Sequence, residues 1–429
     1  MRSELCNRCG SCVGLSGDRI RFGDREGKYL PEIREELSDA EYDRIWNACT
    51  GGRFDFPAMR KQIFGDTPGF HTYMGPYQEL YIGHALDPGL REAGASGGIL
   101  SAILIYLLEK GRIDGAVVTR MSRRKPWLTE PVIATSREAI LEGAQSKYII
   151  TSVNEILGSI AAFEGRLAYV GLPGQVQSVR KLQQAGDRSV KNIKYIFGPF
   201  YGNTLHFSSV RSFLRSHGEK DHTRIRKLYF RYGEWPGNMR VEMDSGRIIE
   251  LKKFHANYLI PFHIVRNSLY CTDFTNEFTD ISGGDAWAPV YEERGKGFSL
   301  IIARSVAGRD LLKEMEKEGR IDLSPVTEQE CIEMHSHGYD FKKRGAFIRT
   351  RFRKLLGKEI PDFGYELKGF PFSRIMMELV ISTLFLVLGT GAARWMVERF
   401  SPEFIGRLFE RSRTRWKRST YRIKRNELG

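Results

Sequence analysis

The sequence predicts an α/β fold with α+β character: a small cysteine-bearing module, then a mixed-sheet α/β domain, then a helical basic tail. Three observations carry this expectation. From about residue 76 to 305, short runs rich in β-branched and aromatic residues alternate with segments whose apolar positions recur at helical spacing. Residues 1–60 hold four of the six cysteines and little continuous hydrophobicity, too little for an independent core without a metal centre. Residues 371–429 join an apolar run to a strongly basic end.

The 429 residues suffice for two or three domains, and a composition 41% hydrophobic and 12% aromatic excludes a disordered chain. The polar start, Met1 to Cys6, lacks the apolar run of a secretory signal. The chain is therefore expected in the reducing cytoplasm, with its cysteines as ligands or buried thiols rather than disulfides. Boundaries read as 1–60 for the cysteine module, 76–320 for the α/β domain, 321–370 for a charged extension and 371–429 for a hydrophobic helix and basic tail.

Within the domain, Ser96-Gly97-Gly98 opens a helix whose apolar positions are Ile99, Ile103, Leu104, Leu107 and Leu108, and Ile113 to Thr119 follows as a strand. Ser152 with Glu155 three residues on reads as a capping box for a helix through Ala162. Leu167 to Val170 is a buried strand, and Gly171-Leu172-Pro173-Gly174 turns into the helix carrying Val176, Val179 and Leu182. Ile193 to Phe197 repeats the strand, and Gly198 to Gly202 repeats the glycine-bearing turn. Asp244-Ser245-Gly246 between Met239–Met243 and Arg247–Leu251 marks a hairpin, so the sheet is expected to be mixed. Ser299 to Ala303 is a late strand before the helix Ala307 to Glu318.

Cys6, Cys9 and Cys12 stand at C-x-x-C-x-x-C spacing, which lets one short loop wrap three corners of an iron–sulfur cube, with Cys49 available as the fourth ligand. This points to a ferredoxin-like [4Fe-4S] module. Zinc competes, but structural zinc sites usually pair two C-x-x-C knuckles across a longer loop, and here there is one such group. Ser16 and Gly17 stand where a second ferredoxin-type cluster would need Cys-Pro. Cys271 and Cys331 stand alone and read as buried thiols. His335 and His337 fall in a charged, poorly patterned stretch, where no metal site is expected.

Small-residue turns collect in the domain: Gly94 to Gly98, Gly171 to Gln175 and Gly283-Gly284-Asp285-Ala286-Trp287, with Gln145-Ser146-Lys147-Tyr148 offering hydroxyls, a cation and a ring. Such turns let a backbone approach a ligand closely, and free N–H groups at a helix start attract phosphate. A glycine turn also occurs for structural reasons alone. In α/β sheets ligands lie outside the carboxyl ends of the strands, where these turns gather.

At these residues the sequence resembles the coenzyme F420 hydrogenase/dehydrogenase beta-subunit family, some members of which are encoded among polysaccharide-synthesis proteins. The landmarks run in order over about residues 5 to 305. They are Cys6/Cys9/Cys12 with Cys49, Ala95 to Gly98, Ser146-Lys147-Tyr148, Gly171-Leu172-Pro173, Arg231 to Gly237, Cys271 to Thr275, Asp280-Ile281 and Gly284-Asp285. The resemblance implies an iron–sulfur flavoprotein oxidoreductase: FAD in the α/β domain, electrons through the N-terminal cluster, and in some members hydride exchange with coenzyme F420. It assigns Ser96, Gly97, Gly98, Ser146, Lys147, Tyr148, Gly171 and Pro173 to flavin phosphate or ring contacts, and Asp285 and Trp287 to the neighbourhood of the ring or substrate. Lys147 either balances pyrophosphate charge or stands solvated at a helix end. Many relatives have Cys where this chain has Gly174, Tyr201 and Ser268, so one cluster is expected, with Cys271 a remnant. The implied partners are a ferredoxin-like carrier or another oxidoreductase subunit, within an oligomer or complex.

The formal charge is +14, and residues 401–429 carry nine Lys/Arg against three Glu, so about +6 sits in the tail. No nucleic-acid-reading motif accompanies the charge, which argues against nucleic acid as a partner. Ile375 to Ala393 holds one charge, Glu378, and is followed by Arg394 and Trp395. A borderline span, a membrane-surface contact through 375–425, a buried helix and an oligomer contact all fit that pattern. A second functional reading follows from it: a membrane-peripheral redox or scaffold subunit, without its own reaction, of a polysaccharide-synthesis or respiratory complex.

Overall fold

The period-two alternation of the apolar strands decides how the layers form. In Gly115–Met121, Ala116 and Val118 face one core while Val117 faces another; Ala168 and Tyr169 divide in the same way, as do Ile196 and Phe197. A sheet apolar on both faces must be covered on both. The computed structural model describes residues 4–66, 69–288, 291, 296–425 and 428, and its centre is such a sheet.

Short antiparallel pairs precede it: β1 (Ile20–Phe22) with β2 (Pro31–Ile33), and β3 (Gly69–His71) with β4 (Gly75–Tyr77). The strands β5 (Glu79–Ala85), β6 (Gly115–Met121), β7 (Thr129–Ala134), β8 (Leu167–Val170) and β9 (Ile193–Pro199) follow. Next come β10 (Ile225–Tyr232), β11 (Asn238–Met243), β12 (Ile248–Lys252), β13 (Ile281–Asp285), β14 (Ser299–Ala303) and β15 (Ile321–Pro325). Eight of them form one sheet in the order β15-β5-β14-β13-β9-β8-β6-β7. Its centre, β6, β8, β9 and β13, is parallel, while β7 and β14 pair antiparallel with its two sides. The mixed α/β class is as expected. The expected hairpin exists as β11 and β12, but it pairs with β10 in a separate three-stranded sheet.

The helices Ile99–Glu109 and Val306–Lys317 cover one face through Ile103, Leu107, Leu312 and Met315. The helix Pro173–Gln184 covers the other through Val176, Val179 and Leu182, in the same cluster as Cys12, Leu15, Ala48, Phe54 and Phe56. The N-terminal module therefore shares the domain's core.

The capping box expected at Ser152 and Glu155 is absent. A 3-10 turn, Val153–Ile156, leads into the short helix Leu157–Ala162, and Ser152 makes no side-chain cap. Ser152 Oγ instead donates to the Arg8 carbonyl at 2.7 Å, and Glu155 pairs with Arg25 at 2.9 Å. These side chains clamp the cysteine loop, a long-range contact that sequence spacing cannot distinguish from a local cap.

Residues 321–370 are built into the body. β15 extends the main sheet, and a π turn at Asp340–Arg344 joins the helices Glu328–Tyr339 and Gly345–Leu355. Their charges are buried in pairs: Lys343 with Glu277, Arg349 with Glu378 at 2.6 Å, and Asp340 with Arg374 at 2.7 Å. Beyond them the helix Phe372–Leu388 bends by 76° into Gly391–Val397, and Pro402–Ser419 follows. Among the described residues no single helix is long and apolar enough to cross a membrane.

Candidate functional site

The four parallel strands end at one place, and a cavity of about 430 Å3 opens there, lined by Thr119, Val170, Pro199 and Asp285 among others. That size lies within the range of about 300–1,000 Å3 typical of cofactor clefts. One wall is the start of the helix Ile99–Glu109. Gly98 sits before it at φ +75°, no side chain caps the helix, and its first turn, Gly98 to Ser101, lines the cavity. Gly97 donates its N–H to Ser299 Oγ at 2.9 Å, and Ser96 Oγ shares a hydrogen bond with the same hydroxyl at 2.8 Å. A Cβ on Gly97 would fall 2.4 Å from the Gly83 carbonyl, so only glycine lets the loop lie against β5.

A second wall comes from the loop after the helix Arg137–Glu142. Gln145 adopts φ +67°, which is strained for a residue with a side chain and aims the next residues inward. Lys147 turns its ammonium onto carbonyls at the helix end, donating to Gly143 at 2.8 Å, to Gln145 at 3.3 Å and to Ala144. Burial draws it down to about 7. It lines the cavity as a helix-end cap.

Lys253, just past the three-stranded sheet, and Trp287 line a third wall, with Arg231 of β10 behind it. Arg231, buried, donates to both carboxylate oxygens of Asp285 at 3.1 and 3.3 Å and to the Ala95 carbonyl at 2.7 Å. Trp235 Nε1 donates to the same carboxylate at 3.0 Å, and its ring lies 4.9 Å from Trp287. Lys253 Nζ sits 4.8 Å from the Trp287 ring. Burial alone would raise the Asp285 carboxyl, but Arg231 and Lys253 hold it below the usual range. Burial would also raise the Tyr148 phenol; Lys253 and Arg231 override it and draw it down. His335 completes the lining between Phe200 and Phe274, its Nε2 2.8 Å from the Asp285 carbonyl, and burial lowers it to about 4.

Of the flavin contacts expected from sequence, Ser96, Gly98, Ser146, Lys147, Tyr148, Gly171, Asp285 and Trp287 line this cavity. Gly97 and Pro173 do not: one packs against β5, and the other starts the helix Pro173–Gln184. Lys253, Gln175 and His335, which line the cavity, and Arg231, which bonds to its lining residues Asp285, Ala95 and Tyr148, were missed. An isolated arginine in a strand gives no local signal, although Arg231 opens a stretch shared with the resembled family.

Cys6, Cys9 and Cys12 are buried and Cys49 is half-buried. Among the described residues no three His, Cys, Asp or Glu side chains gather tightly enough for a single metal ion. The thiols are nevertheless within electrostatic reach of one another: burial raises Cys12, and the charges of Cys9, Cys6 and Cys49 raise it further. Burial pushes Cys9 up to about 12. The loop is moulded to the domain. Gly10 at φ +95° leaves no room for a Cβ beside the Glu155 N–H, and Asn154 donates its N–H to the Cys9 carbonyl at 2.9 Å. On the Cys49 side, Lys181 Nζ donates to the Cys49 carbonyl at 3.0 Å.

Between the cysteine loop and the large cavity lies a smaller one of about 60 Å3, lined by Asn7, Arg8, Gly174, Tyr201 and Cys271 among others. Thr151, Leu172, Gln175, Tyr201 and Thr204 line both cavities. Gly174, Tyr201 and Cys271 line the smaller one, and Ser268 lies beside Tyr201. The Tyr201 and Ser268 hydroxyls lie 2.6 Å apart, and Lys342 Nζ sits 4.2 Å from the Tyr201 ring and donates to the Ser268 carbonyl at 2.8 Å. A Cβ on Gly174 would fall 2.3 Å from the Asn7 amide.

Comparison with known proteins gives this arrangement a lineage. Residues 80–158 match the N-terminal part, and residues 164–329 the C-terminal part, of the family described as coenzyme F420 hydrogenase/dehydrogenase, beta subunit. A subunit of the F(420)H(2) dehydrogenase of Methanosarcina mazei is 29% identical over 77% of this chain and 88% of its own length. The beta subunit of the coenzyme F420 hydrogenase of Methanosarcina barkeri is 26% identical over 60% of this chain and 84% of its own length. The coenzyme F420-dependent sulfite reductase of Methanocaldococcus jannaschii is 26% identical over 80% of this chain, which spans only 51% of that protein. A chain of the F420-reducing [NiFe] hydrogenase complex from Methanosarcina barkeri shares the fold, with a TM-score of 0.54 at 20% identity, over 68% of this chain and 99% of that one.

Proposed function

This chain belongs to the coenzyme F420 hydrogenase/dehydrogenase beta-subunit family, and from that premise we propose an oxidoreductase subunit that binds FAD in the large cavity and one [4Fe-4S] cluster on Cys6, Cys9, Cys12 and Cys49. The observation that carries the reading is the shared wall: Asn7 and Arg8 of the cysteine loop line the smaller cavity, which shares Thr151, Leu172, Gln175 and Tyr201 with the large one.

The donor set fits both groups. The uncapped start of the helix Ile99–Glu109 and the hydroxyl of Ser96 suit a pyrophosphate, while Tyr148, Trp287 and Lys253 suit a planar ring with polar edges. Four thiols in mutual electrostatic reach, three of them on one short loop, suit a cube in which each sulfur binds a different iron. Together the two groups supply two-electron hydride exchange on one side and single-electron transfer on the other.

The chain's own residues provide the surroundings. Asp285 keeps Arg231 and Trp235 in place, and Arg231 and Lys253 bring positive charge to a site that must accept negative charge. Tyr148, drawn down by those cations, stands ready to exchange a proton with a bound ring. The filled positions at Gly174, Tyr201 and Ser268 support a single cluster, with Cys271 a remnant. Coenzyme F420 is the proposed hydride partner, and a ferredoxin or a companion subunit the proposed electron partner.

Anaerobic purification followed by cofactor extraction tests this reading. The expected result is a brown protein with one FAD and about four irons per chain, whose spectrum bleaches with reduced F420, NAD(P)H or reduced ferredoxin. A colourless protein holding zinc, or one with about eight irons, overturns it.

A further inference from the structure

The helix Phe372–Leu388 buries its two charges, Arg374 and Glu378, on its inner side and leaves its outer side apolar. Its inner side buries Met377 and rests Phe385 and Leu388 against the core of the three-stranded sheet. Its outer side carries Phe372, Met376, Val380, Leu384 and Val387, spaced at three and four residues and hence on one face. These side chains are exposed: Phe372 by 76%, Val380 by 55% and Leu384 by 50%. A helix at a water-facing surface normally places charge there. Beyond the 76° bend the pattern continues with exposed Trp395, Met396 and Phe400. On Pro402–Ser419, Phe404, Leu408, Arg411 and Arg415 are exposed and share one face, so the apolar strip passes directly into cations. The Arg399 guanidinium lies 3.2 Å from the Trp395 ring centroid at the junction.

We infer that this face lies on an anionic lipid surface. A contiguous apolar strip needs an apolar partner, and its basic continuation needs an anionic one; a bilayer interface with acidic headgroups offers both. A second copy is disfavoured by charge, because pairing these faces would bring together two tails of about +6 each on a chain of +14. A pair of helices bent by 76° does not run straight through a bilayer but can lay both members along its surface, with Trp395 and Arg399 at the headgroup level. The inference is independent of the cofactor assignment.

Flotation of the full-length protein, purified anaerobically, with sized vesicles is the test. Phosphatidylcholine vesicles and vesicles with part of that lipid replaced by phosphatidylglycerol are compared at low and at high salt. Binding to the anionic vesicles should exceed that to the neutral ones by about tenfold or more and fall with salt. Val380→Glu with Leu384→Glu, both outward-facing, should abolish flotation while leaving the circular dichroism unchanged. Arg411→Glu with Arg415→Glu should weaken binding to anionic vesicles by about tenfold or more. Failure to float with either vesicle, flotation indifferent to both variant pairs, or a dimer that the Val380/Leu384 pair splits would each overturn the inference; the last would assign the face to a second copy.

Discussion

Asn7 shows how a single side chain links the cysteine loop to the α/β domain. Its amide donates to Thr50 Oγ1 at 2.7 Å, Thr50 donates on to the Gly174 carbonyl at 3.2 Å, and Asn7 stands in the space that a side chain at 174 would enter. The cysteines were legible because their spacing is local: three thiols six residues apart end to end can serve one cluster whatever the rest of the chain does. Arg231 was not, because its role arises from Asp285, 54 residues away. Replacing Cys49 with Ser tests the fourth ligand. Iron should fall from about four per chain to a small fraction of that and visible absorbance should bleach, while FAD stays bound. Unchanged iron would remove Cys49 from the ligand set.

At the scale of elements, Gly98 decides whether the helix Ile99–Glu109 can present its N-terminus to the cavity. Its φ of +75° is unfavourable for any residue with a Cβ, and a methyl there would stand 2.5 Å from the Leu90 carbonyl. Gly98→Ala should therefore destabilise the protein by about 2 kcal/mol or more in urea titrations and lower its FAD content. A variant of full stability and full flavin would show that the turn is not needed. The strands Leu167–Val170 and Ser299–Ala303 were read with their observed limits because each is a short apolar run bounded by turn residues. Ser152 and Glu155 matched a cap by spacing, but the observed partners, Arg8 and Arg25, lie in another segment. The hairpin was read correctly as a hairpin; which sheet it joined depended on β10, whose register no local signal specifies.

The whole molecule is tied together by buried charge. Glu277, fully buried, accepts from Arg60 of the N-terminal segment and from Lys343 of the C-terminal layer, across a strand-end loop of the main sheet. Burial would raise this carboxyl, but Arg60 and Lys343 outweigh it and hold the carboxyl at about 2. A carboxyl depressed in the folded state contributes its stability fully above its unfolded value of about 4.3, and loses it as pH falls towards the folded value. Urea midpoints measured against pH should therefore drop between about pH 4.5 and 2. Glu277→Gln, which leaves two buried cations facing an amide, should cost about 3–5 kcal/mol at neutral pH, and its gap to the parent should shrink through that acid window. A gap independent of pH would show that Glu277 does not govern the acid limb. These pairs also explain why residues 321–370 read as a charged extension yet form a buried layer: composition counts charges, and only folding pairs them.

The one-dimensional pattern was enough to determine the alternating strands and helices, the glycine turns, the cysteine loop and the apolar run with its basic end, because each depends on residues a few positions apart. Tertiary structure alone decided that the cysteine module shares the domain's core, that Arg231 bonds to Asp285 and Tyr148 beside one cavity, that the Tyr201 and Ser268 hydroxyls meet, and that one face of the helix Phe372–Leu388 remains uncovered. The physical reason is range: propensity and periodicity act over a turn or a strand, whereas burial and charge pairing act between segments that only the folded chain brings together.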